Sequence, residues 1–477
     1  MSAASSRNGI LNGFAKSIKM TTALSDITNV ERSLTKFWVR NLGFSKEFSR
    51  IKVLAQLSFA ERLLAALLRC DGEAANALLS DRSQANSALP DFIKLIRLEC
   101  LGCIIFERII SLNLSGQFSQ LDDASAVTQL RMMSLHGASN HYQLEQKFTG
   151  VLSLTNQYLG KALWVKGAHL SRSVYEPNYF RHYGDLDVIV EPSVFAAFVE
   201  ALKSGGFASF HTPAYCNQIG VGPVNLPADL ITAPCPGWIP VGPVTMGREK
   251  DGVFVDIKVG PFDRGVQAVE LERMFTDADK STCLGHQYLG PSLSDHMMIM
   301  LCNLAKNRFK TWRTILDIHM LALALNKSPQ AWQKFVECCK QESISTTAWV
   351  GLCMAIDRLN SPIPDSVLTA LQPSGSFIDQ LLSFTLESAY VWNSTSLPMM
   401  ILNSFASPDR KRKLDLLSRS FFPSSKFLSE YYGNGDSKAA SSNYVSYLLK
   451  HWFVLTMPGG VTRRTLGRHW FSEHSSF

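Results

Sequence analysis

Two aspartates near the middle of the chain have the spacing expected of a site for a metal ion and a phosphate. Asp185 and Asp187 open a run of apolar residues that predicts a strand, in which alternate side chains lie on the same side. Two carboxylates held that close repel each other unless a cation lies between them. Hard oxygen ligands suit Mg²⁺, which keeps several waters and also binds substrate phosphates. The pair therefore predicts a Mg²⁺ site beside a bound nucleotide, although two solvated acids at the start of a strand would look the same.

A third carboxylate is found in the apolar segment 253–259, where Asp256 interrupts the sequence VFVDIKV. An unpaired charge in a buried strand is costly, so a functional role is the more economical explanation. We expect Asp256 to join Asp185 and Asp187 as a metal ligand, and to act as a general base or to orient an acceptor hydroxyl. Lys258 lies two residues further on, on the same face of the strand, where it can balance phosphate charge.

Upstream of the aspartate pair, a short apolar strand ends in Lys166-Gly167-Ala168, and Arg181 follows after a helix-length segment. A glycine at the strand end lets the backbone approach a triphosphate, and nearby N–H groups can point at it. Lys166 and Arg181 can balance phosphate charge, and Arg can bind two oxygens at once. Both could equally be ion-pair partners of the aspartates.

The elements that must position these residues form an α/β (α+β) core with a small mixed sheet. The pattern predicts strands near 163–166, 185–190, 207–210 and 253–259, and a further short one at 286–289. A helix follows the aspartate strand, begins near Pro192-Ser193 and ends at Gly205-Gly206. The helical periodicity of the segments before and after this core predicts helical domains on both sides.

The domain prediction has five parts, one of which carries a Pro/Gly-rich insertion. The segment between 210 and 252 holds seven of the 20 prolines, and long irregular segments in compact domains are usually functional or mobile. We interpret it as a lid or acceptor-binding loop, with a surface insertion as the alternative. The parts are a flexible leader (1–28), a helical N-terminal domain (29–160), the catalytic core (161–290, with the insertion 211–252), a helical domain (291–404) and a basic aromatic tail (405–477).

Composition limits the class of protein. With 46% hydrophobic and 18% charged residues the chain is globular, and it contains no apolar run long enough for a membrane span. The ten cysteines form no second pair beside Cys100 and Cys103, so neither structural zinc nor a disulfide framework is expected, and reduced thiols favour the cytoplasm. The tail from 405 holds 11 Lys and Arg against 5 Asp and Glu, and basic residues interleaved with aromatics can bind RNA.

The ordered set of motifs resembles the nucleotidyltransferase superfamily, and more narrowly a bacterial family of uncharacterised nucleotidyltransferases. The resemblance covers roughly residues 140–360. It is carried by the Lys166-Gly167 strand end, by Arg181 before Asp185-Leu186-Asp187, by the later carboxylate Asp256, and by a helical C-terminal half with Trp312 and Asp317. This chain has Ala168 where the superfamily turn usually offers Ser or a second Gly. The resemblance implies a nucleoside triphosphate (NTP) as co-substrate.

The sequence thus predicts a cytoplasmic, Mg²⁺-dependent nucleotidyltransferase that moves a nucleoside monophosphate from an NTP to an acceptor and releases pyrophosphate. The acceptor is unknown, and a small molecule or peptide is favoured. Two alternatives stay open. One is a toxin-like enzyme that acts on tRNA, which the basic tail favours. The other is a non-catalytic nucleotide-binding scaffold, for which Ala168 and the long spacing before Asp185 leave room.

Overall fold

The computed structural model describes residues 57–121, 125–211, 244–258, 271–307, 309, 311–342 and 344–372. The predicted leader, the basic tail and most of the Pro/Gly-rich insertion lie outside these residues. The predicted domain boundaries and the lid therefore stay predictions.

In the part of the chain that the structure describes, the centre of the fold is a mixed sheet of seven strands in the order β3-β4-β5-β2-β1-β7-β6. Strand β2 pairs in parallel with β5, and β1 in parallel with β7, while the other neighbours are antiparallel. The predicted α+β class with a mixed sheet is confirmed. The strands are β1 (Ala162–Val165), β2 (Leu186–Val190), β3 (Ala208–His211), β4 (Val244–Arg248), β5 (Val253–Lys258), β6 (Asp279–Cys283) and β7 (His286–Gly290).

Helices surround the sheet and dominate the segments before and after it. Before β1 are α1 (Phe59–Leu68), α2 (Gly72–Ser80), α3 (Arg82–Glu99), α4 (Gly102–Ser111), α5 (Ser115–Ser119) and α6 (Ala126–Thr155). Between strands are α7 (Gly167–Ser173), α8 (Phe195–Ser204) and α9 (Leu271–Thr276). After β7 come α10 (Leu293–Lys306), α11 (Trp312–Leu325), α12 (Pro329–Gln341), α13 (Ser345–Leu359) and α14 (Asp365–Leu371). Among the described residues, no helix has the length and hydropathy needed to cross a bilayer.

The two faces of the sheet carry different side chains because strand residues alternate. On β2, Leu186, Val188 and Val190 pack with α6 and α8 in the larger core, together with the alternate residues Val253, Val255 and Ile257 of β5. Ile189 packs on the other face with residues of α9 and α10. Odd-numbered positions of β2 and even-numbered positions of β5 therefore share this second face, which carries the aspartates.

Two strands were not predicted, and each lacks the pattern on which the prediction depended. The edge strand β6 reads DKSTC and is largely exposed, so it shows no apolar alternation. Strand β4 lies within the segment 211–252 that we predicted to be irregular, after a run of prolines. Its pairing with β5 is a hairpin whose turn contains Asp251-Gly252, with Gly252 at φ +66°. An Asp-Gly pair before an alternating strand is a usable hairpin signal.

Candidate functional site

The register of β2 against β5 brings the predicted carboxylates together. Asp187 is the direct neighbour of Asp256 across the parallel pair. Asp185 precedes Asp187 by two residues, and so extends toward the same face just before β2 begins. On the far side, Val165 at the end of β1 is the neighbour of Asp187. The chain therefore leaves β1 at Lys166 immediately beside the carboxylate pair.

Asp187 is buried and holds two lysines. Its Oδ1 accepts hydrogen bonds from Nζ of Lys166 at 2.6 Å and from Nζ of Lys258 at 2.8 Å. Only 4% of the Asp187 side chain is exposed, against 22% for Lys166 and 19% for Lys258. Burial alone would raise the pKa of Asp187, but the two ammonium groups hold this pKa well below its usual range. Asp187 is thus a permanent anion at the centre of a compact charged cluster.

The other two aspartates of the cluster differ from Asp187 in their electrostatics. Burial raises the pKa of Asp185, and the charge of Asp187 raises it further. Burial also raises the pKa of Asp256, and the neighbouring carboxylates add to this, although a hydrogen bond from Thr245 opposes the rise. Within the described residues, neither Asp185 nor Asp256 has a Lys or Arg nitrogen within 4.0 Å. Both are therefore carboxylates that an added cation would stabilise in the charged form.

Thr245 on β4 orients Asp256. The two residues are direct neighbours in the antiparallel pair, and Oγ1 of Thr245 donates to Oδ1 of Asp256 at 2.6 Å. This hydrogen bond holds Oδ1 of Asp256 and so restricts the orientation of its carboxylate. The sequence analysis missed Thr245 because β4 was not recognised as a strand.

Lys166 turns the chain from β1 into α7 with an unusual backbone. Its φ is +52° and its ψ is −132°, a conformation that non-glycine residues adopt only when the surroundings impose it. The backbone N–H of Lys166 donates to Nε2 of His296 at 3.0 Å. Helix α7 follows at once, and no side chain caps its first turn.

Gly167 and Ala168 have clear packing roles of their own. A Cβ added at Gly167 would lie 2.4 Å from Cβ of Tyr183, so the close approach of Tyr183 alone requires glycine here. Ala168 is fully buried in the larger core. Only the backbone of these two residues can therefore reach a ligand at the carboxylate cluster, and their role in phosphate binding stays a prediction.

The guanidinium of Arg181 forms a buried ion pair with Asp317. Its Nε donates to Oδ1 of Asp317 at 2.6 Å and its Nη2 to Oδ2 at 2.9 Å, while Nη1 donates to the carbonyl of His182. Asp317, on α11, is fully buried and also accepts from the hydroxyl of Tyr175 at 2.8 Å. This two-fold contact joins the loop before β2 to the C-terminal helices. Among the described residues the ion-pair partner of Arg181 is Asp317, whereas the alternative had named the aspartates of the cluster. Phosphate binding by Arg181 stays a prediction.

Comparison with known protein families identifies the family of this chain. Residues 90–360 match the model of a family described as uncharacterised nucleotidyltransferase, a span of more than half of the 477 residues. The chain belongs to this family. No curated protein and no solved structure matches it. The match begins at residue 90, within α3, so the matched region includes α4 to α6 as well as the sheet, and it ends at residue 360, directly after α13.

The donor chemistry of the cluster fits Mg²⁺. Carboxylate oxygens are the ligands that Mg²⁺ prefers, and Asp185 and Asp256 have raised pKa values that a cation would lower. Within the described residues, no three His, Cys, Asp or Glu side chains converge closely enough to hold a metal ion unaided. A Mg²⁺ ion held here would therefore complete its shell with water and substrate phosphate oxygens, as it usually does.

Proposed function

We propose that this nucleotidyltransferase is Mg²⁺-dependent and transfers a nucleoside monophosphate from an NTP to an acceptor, with release of pyrophosphate. The observation that carries the proposal is the register that sets Asp187 beside Asp256, with two lysines on the same carboxylate. A cluster of three acids and two bases on one face of a sheet costs folding energy that a purely structural role does not require. Membership of the family supplies the reaction class.

In this proposal Asp185, Asp187 and Asp256 hold Mg²⁺, which when bound neutralises charge on the α-phosphate and on the pyrophosphate leaving group. Lys166 and Lys258 already lie at Oδ1 of Asp187, so their ammonium groups are within reach of phosphate oxygens bound at the same carboxylate. The two ammonium groups balance the negative charge of the triphosphate and hold the triphosphate beside the three aspartates.

Asp256 acts on the acceptor. Burial raises the pKa of Asp256, and a cation bound beside it would lower this pKa and keep the carboxylate in the charged form that accepts a proton. Asp256 takes the proton of the acceptor hydroxyl as the acceptor oxygen attacks the α-phosphate, and the hydrogen bond from Thr245 keeps the receiving carboxylate in position. A small molecule or a peptide is the favoured acceptor.

The test is a transfer assay on the full chain with Mg²⁺, each of the four NTPs labelled at the α-phosphate, and three acceptor pools: small metabolites, peptides and tRNA. We expect pyrophosphate release and labelled small molecule or peptide. Asp256→Asn should slow the release at least about a hundredfold, as expected for loss of a general base. Glu249→Gln, which neutralises an exposed acid in the β4–β5 turn, is the matched control and should keep the wild-type rate.

Three outcomes would count against parts of this proposal. Label found in tRNA alone would favour the tRNA-modifying alternative. NTP binding without pyrophosphate release from any acceptor pool would favour the non-catalytic scaffold. Equal rates for the wild type and Asp256→Asn would remove Asp256 from the chemistry.

A further inference from the structure

A buried pair of histidines lies directly behind the turn that presents Lys166. The imidazole rings of His169, on α7, and His296, on α10, stack with centroids 5.4 Å apart and an angle of 20° between their planes. Only 3% of His169 is exposed, and His296 is completely buried. The function proposed above uses neither ring, so the pair calls for an explanation of its own.

Contacts to the backbone and to the ring of His296 limit its movement. The N-cap Ser292 fixes the first turn of α10, and the backbone N–H of His296 donates to the carbonyl of Ser292 at 2.8 Å. His169 covers one face of the ring. The ring of His169 in turn rests on Gly290, where an added Cβ would lie 2.2 Å from it. The His296 ring therefore has little freedom to move away from Lys166.

The contact between His296 and Lys166 is specific in its chemistry. Nε2 of His296 accepts the backbone N–H of Lys166, so the neutral ring carries its proton on Nδ1. The same Lys166 has φ +52°, which a side-chain-bearing residue adopts only when its surroundings over-determine it. From this turn its Nζ reaches Oδ1 of Asp187 at 2.6 Å.

We propose that His296 is a positioning residue, whose ring Nε2 holds the Lys166 backbone in the positive-φ conformation that brings the Lys166 ammonium onto Asp187. The consequence for nucleotide binding rests on the proposed function, whereas the position of the Lys166 ammonium does not. His296 touches neither the nucleotide nor the metal site, and it acts through Lys166.

Two substitutions separate this role from simple packing. His296→Gln keeps a carbonyl oxygen at the reach of Nε2, whereas the acceptor of His296→Asn stops one atom short. The rate at which an N-hydroxysuccinimide acetate reagent acetylates Lys166, read by peptide mass spectrometry, reports whether its ammonium is held on Asp187. We expect acetylation of Lys166 to rise about tenfold in His296→Asn and to stay near the wild-type rate in His296→Gln. Lys161, an exposed lysine just before β1, is the internal control and should react equally in all three proteins.

The second readout is the affinity for NTP in the presence of Mg²⁺. We expect His296→Asn to weaken binding about tenfold and His296→Gln to weaken it less than about threefold. In a Lys166→Gly background the ammonium is gone, so His296→Asn should then change the affinity by less than about twofold. An undiminished penalty in that background, or equal losses for Gln and Asn, would overturn the proposal.

The failures of the two proposals are distinguishable. A wild type that binds no NTP would end the proposed function, while the acetylation pattern would still support or overturn the role of His296. If His296→Asn does not fold, the ¹⁵N NMR spectrum of the wild type, labelled at its histidine ring nitrogens, shows which nitrogen of His296 carries the proton. The resonances of His296 are identified as those missing from the spectrum of His296→Gln. A proton on Nδ1 of His296 supports the proposal, and a proton on Nε2 overturns it.

Discussion

Replacing Asp187 by Asn removes the charge on which both ammonium groups of the cluster depend. Asp187 is almost fully buried, and Lys166 and Lys258 each have about a fifth of their side chains exposed. Removing one partner of a buried ion pair costs roughly 3–5 kcal/mol, because the remaining charge is left without compensation. Since the lysines retain some contact with water, we expect the lower end of this range, about 3 kcal/mol, for Asp187→Asn.

Replacing Asp256 by Asn should not lower the free energy of unfolding as Asp187→Asn does. The pKa of Asp187 is depressed in the folded state, so its charge contributes stability that is fully present at pH 7 and is lost as the pH falls through the folded pKa. The pKa of Asp256 is raised, so its charge opposes folding at pH 7. Asn can still accept the hydrogen bond from Thr245. We therefore expect Asp256→Asn to leave the free energy of unfolding unchanged or to increase it.

Urea unfolding at pH 7, followed by far-UV circular dichroism, measures both effects, with Glu249→Gln as the control for loss of an exposed acid. If Asp187→Asn lowered the free energy of unfolding by less than about 1 kcal/mol, it would refute the claim that Asp187 stabilises the fold by pairing with Lys166 and Lys258. If Asp256→Asn lowered the free energy of unfolding as much as Asp187→Asn, it would refute the view that the charge of Asp187 stabilises the fold and the charge of Asp256 opposes folding.

Three further predictions follow from individual contacts. Asp317→Leu should lower the free energy of unfolding by about 3 kcal/mol, because it leaves the buried charge of Arg181 without a partner. Adding Arg181→Met should restore most of this free energy and leave the affinity for NTP unchanged. A loss of NTP affinity in the double variant would show instead that Arg181 binds phosphate. Thr245→Val removes the hydrogen bond that lowers the pKa of Asp256. The acid limb of the pH–rate profile for pyrophosphate release should therefore move to higher pH in this variant, whereas Thr245→Ser should leave the limb in place. An acid limb that does not move in Thr245→Val would contradict this prediction. Burial, with nearby arginines, lowers the pKa of His182 to about 4, so its neutral form contributes stability above pH 6.5 that is lost as the pH falls. Between pH 6.5 and pH 4.5, the free energy of unfolding of His182→Gln should fall by up to about 2.5 kcal/mol less than that of the wild type, as measured by urea unfolding at each pH. The same fall with pH in both proteins would contradict this prediction.

The carboxylate cluster was predictable because it depends on strand periodicity. Asp185 and Asp187 are separated by one residue, as are Asp256 and Lys258, so each pair had to share a face once its strand was recognised. That the two pairs lie side by side follows from the parallel register of β2 and β5. A register between strands about seventy residues apart is set by packing of the whole sheet, which local sequence does not reveal.

The partners of the cationic residues were less predictable. Lys166 was expected near phosphate or near the acids, and Lys258 near phosphate. Their convergence on a single oxygen of Asp187 depends on side-chain reach within the fold. The engagement of Arg181 by Asp317 joins residues 136 positions apart, which no local pattern encodes. His296 carried no signal of its own, because a histidine in the first turn of an apolar helix is most simply a core residue.

The measurement that tests the central claim most directly is calorimetric titration of the full chain with each of the four NTPs, with and without Mg²⁺. It should compare the wild type, Asp185→Asn and the control Glu249→Gln. We predict Mg²⁺-dependent binding of at least one NTP by the wild type and the control, weakened about tenfold or more in Asp185→Asn. Binding that is equal in all three proteins, or that is indifferent to Mg²⁺, would contradict the assignment of the cluster as the nucleotide and metal site, as would no binding of any NTP.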